Sequence, residues 1–135
     1  MWIEKIKKYA KDISMIAINP PATDAEIHKL IDALGEIPDD LVKLLKEING
    51  DNCVLLSVGE IVETNKRLRS LVEYMPLDCL LFFAGNGSGD YYGYQIRKEG
   101  ICSYNIFIWD HEYDNRTWVA GGMHEFISKY CNGEI

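Results

Sequence analysis

Cys79-Leu80-Leu81-Phe82-Phe83-Ala84, then Gly85-Asn86-Gly87-Ser88-Gly89-Asp90, then Tyr91-Tyr92-Gly93-Tyr94-Gln95-Ile96 is the stretch that decides the fold class. The apolar run is long enough for a buried strand and short for a helix. The glycine-rich segment punctuates it as a turn. The aromatic-rich segment after it suits a second strand, because tyrosine and isoleucine fit a pleated, half-buried surface. Downstream, residues 106–109 give a third strand and 117–120 offer a last one. Met123, Phe126, Ile127 and Tyr130 recur at helical spacing and close the chain on an amphipathic helix.

The chain upstream of this stretch reads differently. Trp2, Ile3, Ile6, Tyr9, Ala10 and Ile13 predict a helix over residues 1–13, which must end before Asn19-Pro20-Pro21. Thr23 and Glu26 have the spacing of a reciprocal capping box. The helix they open has Ile27, Leu30, Ile31 and Leu34 as its buried stripe and Gly35 at its end. A third helix follows Ile37-Pro38, with proline at a first helical position, Asp39 and Asp40 at its positive start, and Leu41, Leu44, Leu45 and Ile48 inward. Asn49-Gly50 stops it. Residues 53–56 form a short strand candidate, and Ser57 with Glu60 cap a fourth helix reaching Leu68 or beyond. Helices gathered first and strands later predict an α+β fold, with the helices on one side of a mainly antiparallel sheet.

The chain has 135 residues, 47% of them hydrophobic and 26% charged, which suits one globular domain over residues 1–135. Lysine plus arginine number 14 against 21 aspartates and glutamates, so the formal net charge is −7. That charge disfavours nucleic acid and anionic membrane and favours a basic partner. Cys53, Cys79, Cys102 and Cys131 show neither a C-x-x-C pair nor a zinc spacing, and Cys53 and Cys79 read as small core residues. The start Met1-Trp2-Ile3-Glu4-Lys5 lacks a signal peptide's apolar stretch. No apolar run approaches the ~20 residues that span a bilayer. A reducing cytoplasm is therefore the expected location.

Chemistry finds little support. The loop 85–90 has glycines, but Asp90 stands where the dinucleotide fingerprint needs its last glycine, and no Gly-Lys-Ser/Thr ending follows. A structural turn is the expected role. Trp109-Asp110-His111-Glu112, with Asp114 close behind, is the densest polar cluster. Imidazole and carboxylates can bind metal or move protons, yet adjacent strand residues point to opposite faces. A thiol–imidazole pairing of Cys102 with His111 is conceivable, and no G-x-S-x-G elbow occurs. Catalysis, a metal and a cofactor are not expected.

Taken in order, these segments resemble a known family. Pro21-Ala22-Thr23, Glu26-Ile27, Leu34-Gly35, Ile37-Pro38, Asp40, Leu44-Leu45 and Asn49-Gly50 are similar to the opening of the SUKH superfamily, in its Smi/Knr-type domain. Ser57, Glu60-Ile61 and Asn65, then Leu81-Phe82-Phe83-Ala84-Gly85, Gly89-Asp90-Tyr91-Tyr92, Ile108-Trp109-Asp110-His111-Glu112 and Phe126-Ile127 continue the resemblance over roughly residues 20 to 130. Two departures are the short Asp51-Asn52 link and Gly121-Gly122 where the terminal helix usually has a Ser or Asp cap. The resemblance implies a toxin-neutralising immunity protein that binds its toxin, often a nuclease, without chemistry. The alternative it implies is a regulatory interaction domain with no toxin partner.

A basic toxin needs an acidic surface to meet. If the strand from Tyr91 pairs antiparallel with the one ending at Trp109, Asp90 and the segment 110–114 share one rim of the sheet. Asp90, Tyr91, Tyr92, Trp109, Asp110, His111, Glu112 and Asp114 are the expected partner-binding residues. For Trp109 a core indole and a recognition residue both stay open. The protein is expected as a monomer or weak homodimer.

Overall fold

The computed structural model describes residues 2–97, 99–100 and 102–135. Among these, five helices precede and follow a four-stranded sheet. The helices are α1 Trp2–Ala10, α2 Asp24–Leu34, α3 Asp39–Glu47, α4 Val58–Arg69 and α5 Met123–Cys131. The strands are β1 Leu80–Gly85, β2 Tyr91–Ile96, β3 Cys102–Asp110 and β4 Asn115–Ala120, paired antiparallel in the order β1-β2-β3-β4. The architecture is α+β, as the distribution of periodicities predicts.

Local chemistry sets the helix starts. Thr23 Oγ1 accepts the Glu26 N–H at 3.2 Å, and Glu26 Oε1 accepts the Thr23 N–H at 3.0 Å. Ser57 and Glu60 repeat the box at the start of α4. Each such cap is worth roughly 1 kcal/mol. Gly35 ends α2 with φ 84°, where a side chain would be strained. Pro38 immediately precedes α3 with φ −56° rather than occupying its first turn. α5 lacks a side-chain cap, but Glu125 Oε1 reaches back past the N-cap Gly122 to accept the Gly121 N–H at 2.9 Å.

Several expectations are corrected. α1 stops at Ala10, because the N–H groups of Asp12 and Ile13 bond three residues back to Tyr9 and Ala10 and tighten the chain out of the helix. Met1, in the expected range, lies outside the described residues. Ile31 is 41% exposed instead of buried. Residues 53–56 make only an isolated bridge, Leu55 to Ala84. The buried Asp51 carboxylate is the reason. Its Oδ1 accepts the N–H groups of Cys53, Val54 and Leu55 at 3.0, 2.9 and 2.9 Å and bends them into a turn. Its Oδ2 accepts the Tyr130 hydroxyl of α5 at 2.5 Å. Burial and the adjoining carboxylate hold that hydroxyl far above the ordinary tyrosine value, so it stays a donor. Cys53 and Cys79 are only half-buried.

Alternation along the strands sends side chains to two cores. Leu81, Phe83, Tyr92, Tyr94 and Ile106 join the helices in the main core, where the Phe83 and Phe126 rings meet edge-on at 5.0 Å. Leu80, Phe82 and Trp109 point the other way, into a smaller core closed by Leu68 of α4 and Leu77. The irregular segment 70–79 therefore straps the face that the other helices leave open.

α4 runs past the edge strand β1 and seals it. The fully buried Asn65 side chain accepts the Phe82 N–H at 2.9 Å and donates to the Phe82 and Ile61 carbonyls, each at 2.8 Å. Arg69 Nη2 donates to the Leu80 carbonyl at 3.2 Å, and main-chain groups of Val54 and Leu56 bond Gly85 and Phe83. An edge covered in this way cannot recruit stray strands.

Candidate functional site

The register Tyr91↔Trp109 brings the β1–β2 and β3–β4 turns to one end of the sheet. In the first turn, Asn86 Oδ1 accepts the N–H groups of Ser88 and Asp90 at 2.9 and 3.3 Å, and its Nδ2 donates to Asp90 Oδ2 at 3.1 Å. Two of the loop's backbone donors, the N–H groups of Ser88 and Asp90, are thus already used. Gly89 has φ 101°, and a Cβ there would lie 2.9 Å from the His111 ring.

That ring joins the two turns. Asp90 Oδ1 accepts the His111 N–H at 3.1 Å and lies 2.6 Å from Nδ1. The hydrogen bond to Asp90 raises the His111 pKa, against a smaller opposing effect of burial. Burial pushes Asp90 up, but the His111 and Asn86 hydrogen bonds outweigh it and leave the carboxyl below its ordinary value. Raised histidine and lowered aspartate together bracket a pH window. The imidazolium's stabilisation is full below the ordinary histidine value of 6.5 and is lost as pH rises through the higher folded value. The carboxylate's is full above 3.8 and is lost as pH falls through the lower folded value. Thermal melts at about pH 6 and about pH 9 should show the wild type losing stability relative to His111→Asn as pH rises. Parallel curves for the two proteins would contradict the coupling.

Asp110 and His111, with Asp90, form the one group among the described residues whose ligand atoms lie within 4.8 Å of one another, close enough to hold a cation. The alternation of a regular strand does not separate them, because His111 has already left β3. Each is engaged internally, Asp110 Oδ1 by the Glu112 N–H at 2.8 Å.

Trp109 is 1% exposed. Its Nε1 donates to Asp114 Oδ1 at 2.8 Å, and the Tyr74 ring meets it edge-on at 4.9 Å. Asp114, at φ 56°, also accepts the Met75 N–H at 2.9 Å through Oδ2. Arg116 completes the clamp, donating to the Met75 carbonyl at 3.0 Å and to the Asp114 carbonyl at 2.9 Å. Burial pushes the Asp114 carboxyl up, but the Met75, Trp109 and Arg116 bonds leave it below its ordinary range. Asp114 therefore holds the strap 70–79 over the second core.

The structure divides the eight expected contact residues accordingly. Tyr92, at 4% exposure, and Trp109 lie inside the two cores, so neither side chain offers contact surface. Asp90 and His111 tie the two turns to each other, and Asp114 holds the strap. Tyr91 is half-buried and accepts a hydrogen bond from Arg67 Nη2 at 3.1 Å. Asp110 is half-exposed and Glu112 exposed. Sequence reasoning missed Tyr113, 74% exposed in the same turn, and Met75, 67% exposed on the strap beside it. The strap carries no periodicity that could have announced it.

The Cys102–His111 pairing fails on geometry, since Cys102 begins β3 and His111 follows its last residue. Burial also pushes the Cys102 thiol up to about 11, away from a reactive thiolate. Among the described residues, no helix is long and apolar enough to cross a membrane.

A model of the SMI1 / KNR4 family (SUKH-1) matches residues 21–129, and the chain belongs to that family. Comparison with curated proteins gives no match.

Proposed function

We propose that the protein is a cytoplasmic immunity protein that binds a basic toxin and blocks it without catalysing a reaction. The family resemblance supports this reading, and one observation carries it. The acids Asp110 and Glu112 share one turn with the exposed Tyr113, and Asp114 of that turn ties it to the strap that carries the exposed Met75. Acids at a rim speed encounter with a basic surface, and an exposed tyrosine is the type of side chain that anchors an interface. Nuclease toxins, whose clefts must attract phosphate, are the class whose charge fits best.

Asp114 must stay intact in the test, since its loss would release the strap. Reversing Asp110 and Glu112 together to lysine should slow toxin association at low salt by about tenfold and flatten its salt dependence. Tyr113→Ala should instead speed dissociation. Surface plasmon resonance on the purified toxin domain separates the two rates. Unchanged rates in both well-folded variants would move the interface elsewhere.

A further inference from the structure

The acidic chain carries a surface of the opposite sign. Between α2 and α4 runs a groove of about 780 Å³, open to solvent along one side. Ala33, Val58 and Val62 give it an apolar floor. Lys29, Lys66 and Arg67 stand on its walls against the single acid Glu63, in a protein whose net charge is −7. Among the described residues, no ion pair within 4.0 Å engages Lys29 or Lys66, although Lys29 lies within electrostatic reach of Glu26. Gly59 lies in the first turn of α4, and a Cβ built on it meets nothing within 4 Å. Glycine there leaves open space where most residues would fill it and strengthen the helix.

An apolar floor between cationic walls selects a ligand with one apolar and one anionic face. A small amphipathic anion would keep much of its surface wet in so open a groove, whereas ligand pockets bury most of what they hold. A helix laid in the groove meets both requirements, its apolar stripe on the floor and its carboxylates against the lysines. The net charge disfavours a second copy of the chain as the occupant. We propose that the α2–α4 groove is a second docking site, built to take an acidic amphipathic helix of a partner protein. Arg67 stands where this basic groove meets the acidic rim, reaching the Tyr91 hydroxyl at 3.1 Å. The chain thus offers adjoining surfaces of opposite charge.

The test needs no toxin, so its failure leaves the rim reading untouched. The probe is a fluorescent synthetic helix with leucines on one face and glutamates on the other, beside the same peptide with lysines for glutamates. The glutamate peptide should bind by anisotropy, and amide shifts should map it to α2 and α4. Gly59→Phe, which fills the groove without steric conflict at its Cβ, should abolish that binding with the melting temperature unchanged or raised. Lys29→Glu with Lys66→Glu should weaken it at least tenfold. Absence of binding by the glutamate peptide would overturn the proposal, as would binding that survives Gly59→Phe. Dodecanoate shifting the groove amides where the peptide does not would reassign the site to an acyl anion. Self-association removed by Gly59→Phe would reassign it to a second copy.

Discussion

Asp51→Ala should cost the fold about 2–6 kcal/mol, since it leaves two buried donors, the Leu55 N–H and the Tyr130 hydroxyl, without an acceptor at about 1–3 kcal/mol each. The substitution strands the N–H groups of Cys53, Val54 and Leu55 and the Tyr130 hydroxyl together. Against a total of about 5–15 kcal/mol, that loss is large enough to leave much of the protein unfolded at ordinary temperature. Tyr130→Phe removes only one member and should cost about 1–3 kcal/mol. Urea unfolding of both variants checks the ranking. A loss below about 1 kcal/mol for Asp51→Ala would mean that the turn is held by packing alone.

Asn65→Leu should be the second large loss, about 2–4 kcal/mol, although leucine matches the site in volume and apolarity. The Phe82 N–H and carbonyl would both be left inside the protein with no partner. Asn65→Asp is the informative companion. It keeps an acceptor for the N–H but sets a carboxylate against two carbonyls, and it should destabilise most at neutral pH and recover as pH falls. Two variants of equal stability at every pH would show that Asn65 acts through shape rather than hydrogen bonding.

These two residues mark where reading the sequence succeeds and where it stops. The capping boxes at Thr23 and Ser57 were legible because donor and acceptor are three residues apart and need no tertiary contact. The strands were legible from apolar runs, and the shared rim of Asp90 and His111 from antiparallel pairing. Asp51 was not, because its meaning depends on Tyr130 at the far end of the chain. Asn65 stood in the family pattern without its role being visible, since only the fold brings β1 beside α4. Trp109 stayed ambiguous for a different reason. Alternation assigns a residue to a face but does not say whether that face is covered, and here an aperiodic strap covers it. The same strap turned Asp114 from an expected contact into a brace.

The brace has a consequence for how such a protein can change over generations. Within one short turn, Asp114 is tied to the second core through Trp109, while the side chains of Glu112 and Tyr113 point away from it. Substitutions at the latter positions should lie within about 0.5 kcal/mol of neutral, whereas Asp114 is fixed by several bonds at once. Drift is therefore channelled to single positions inside the turn. A lineage can rewrite those two letters repeatedly at little cost to its fold.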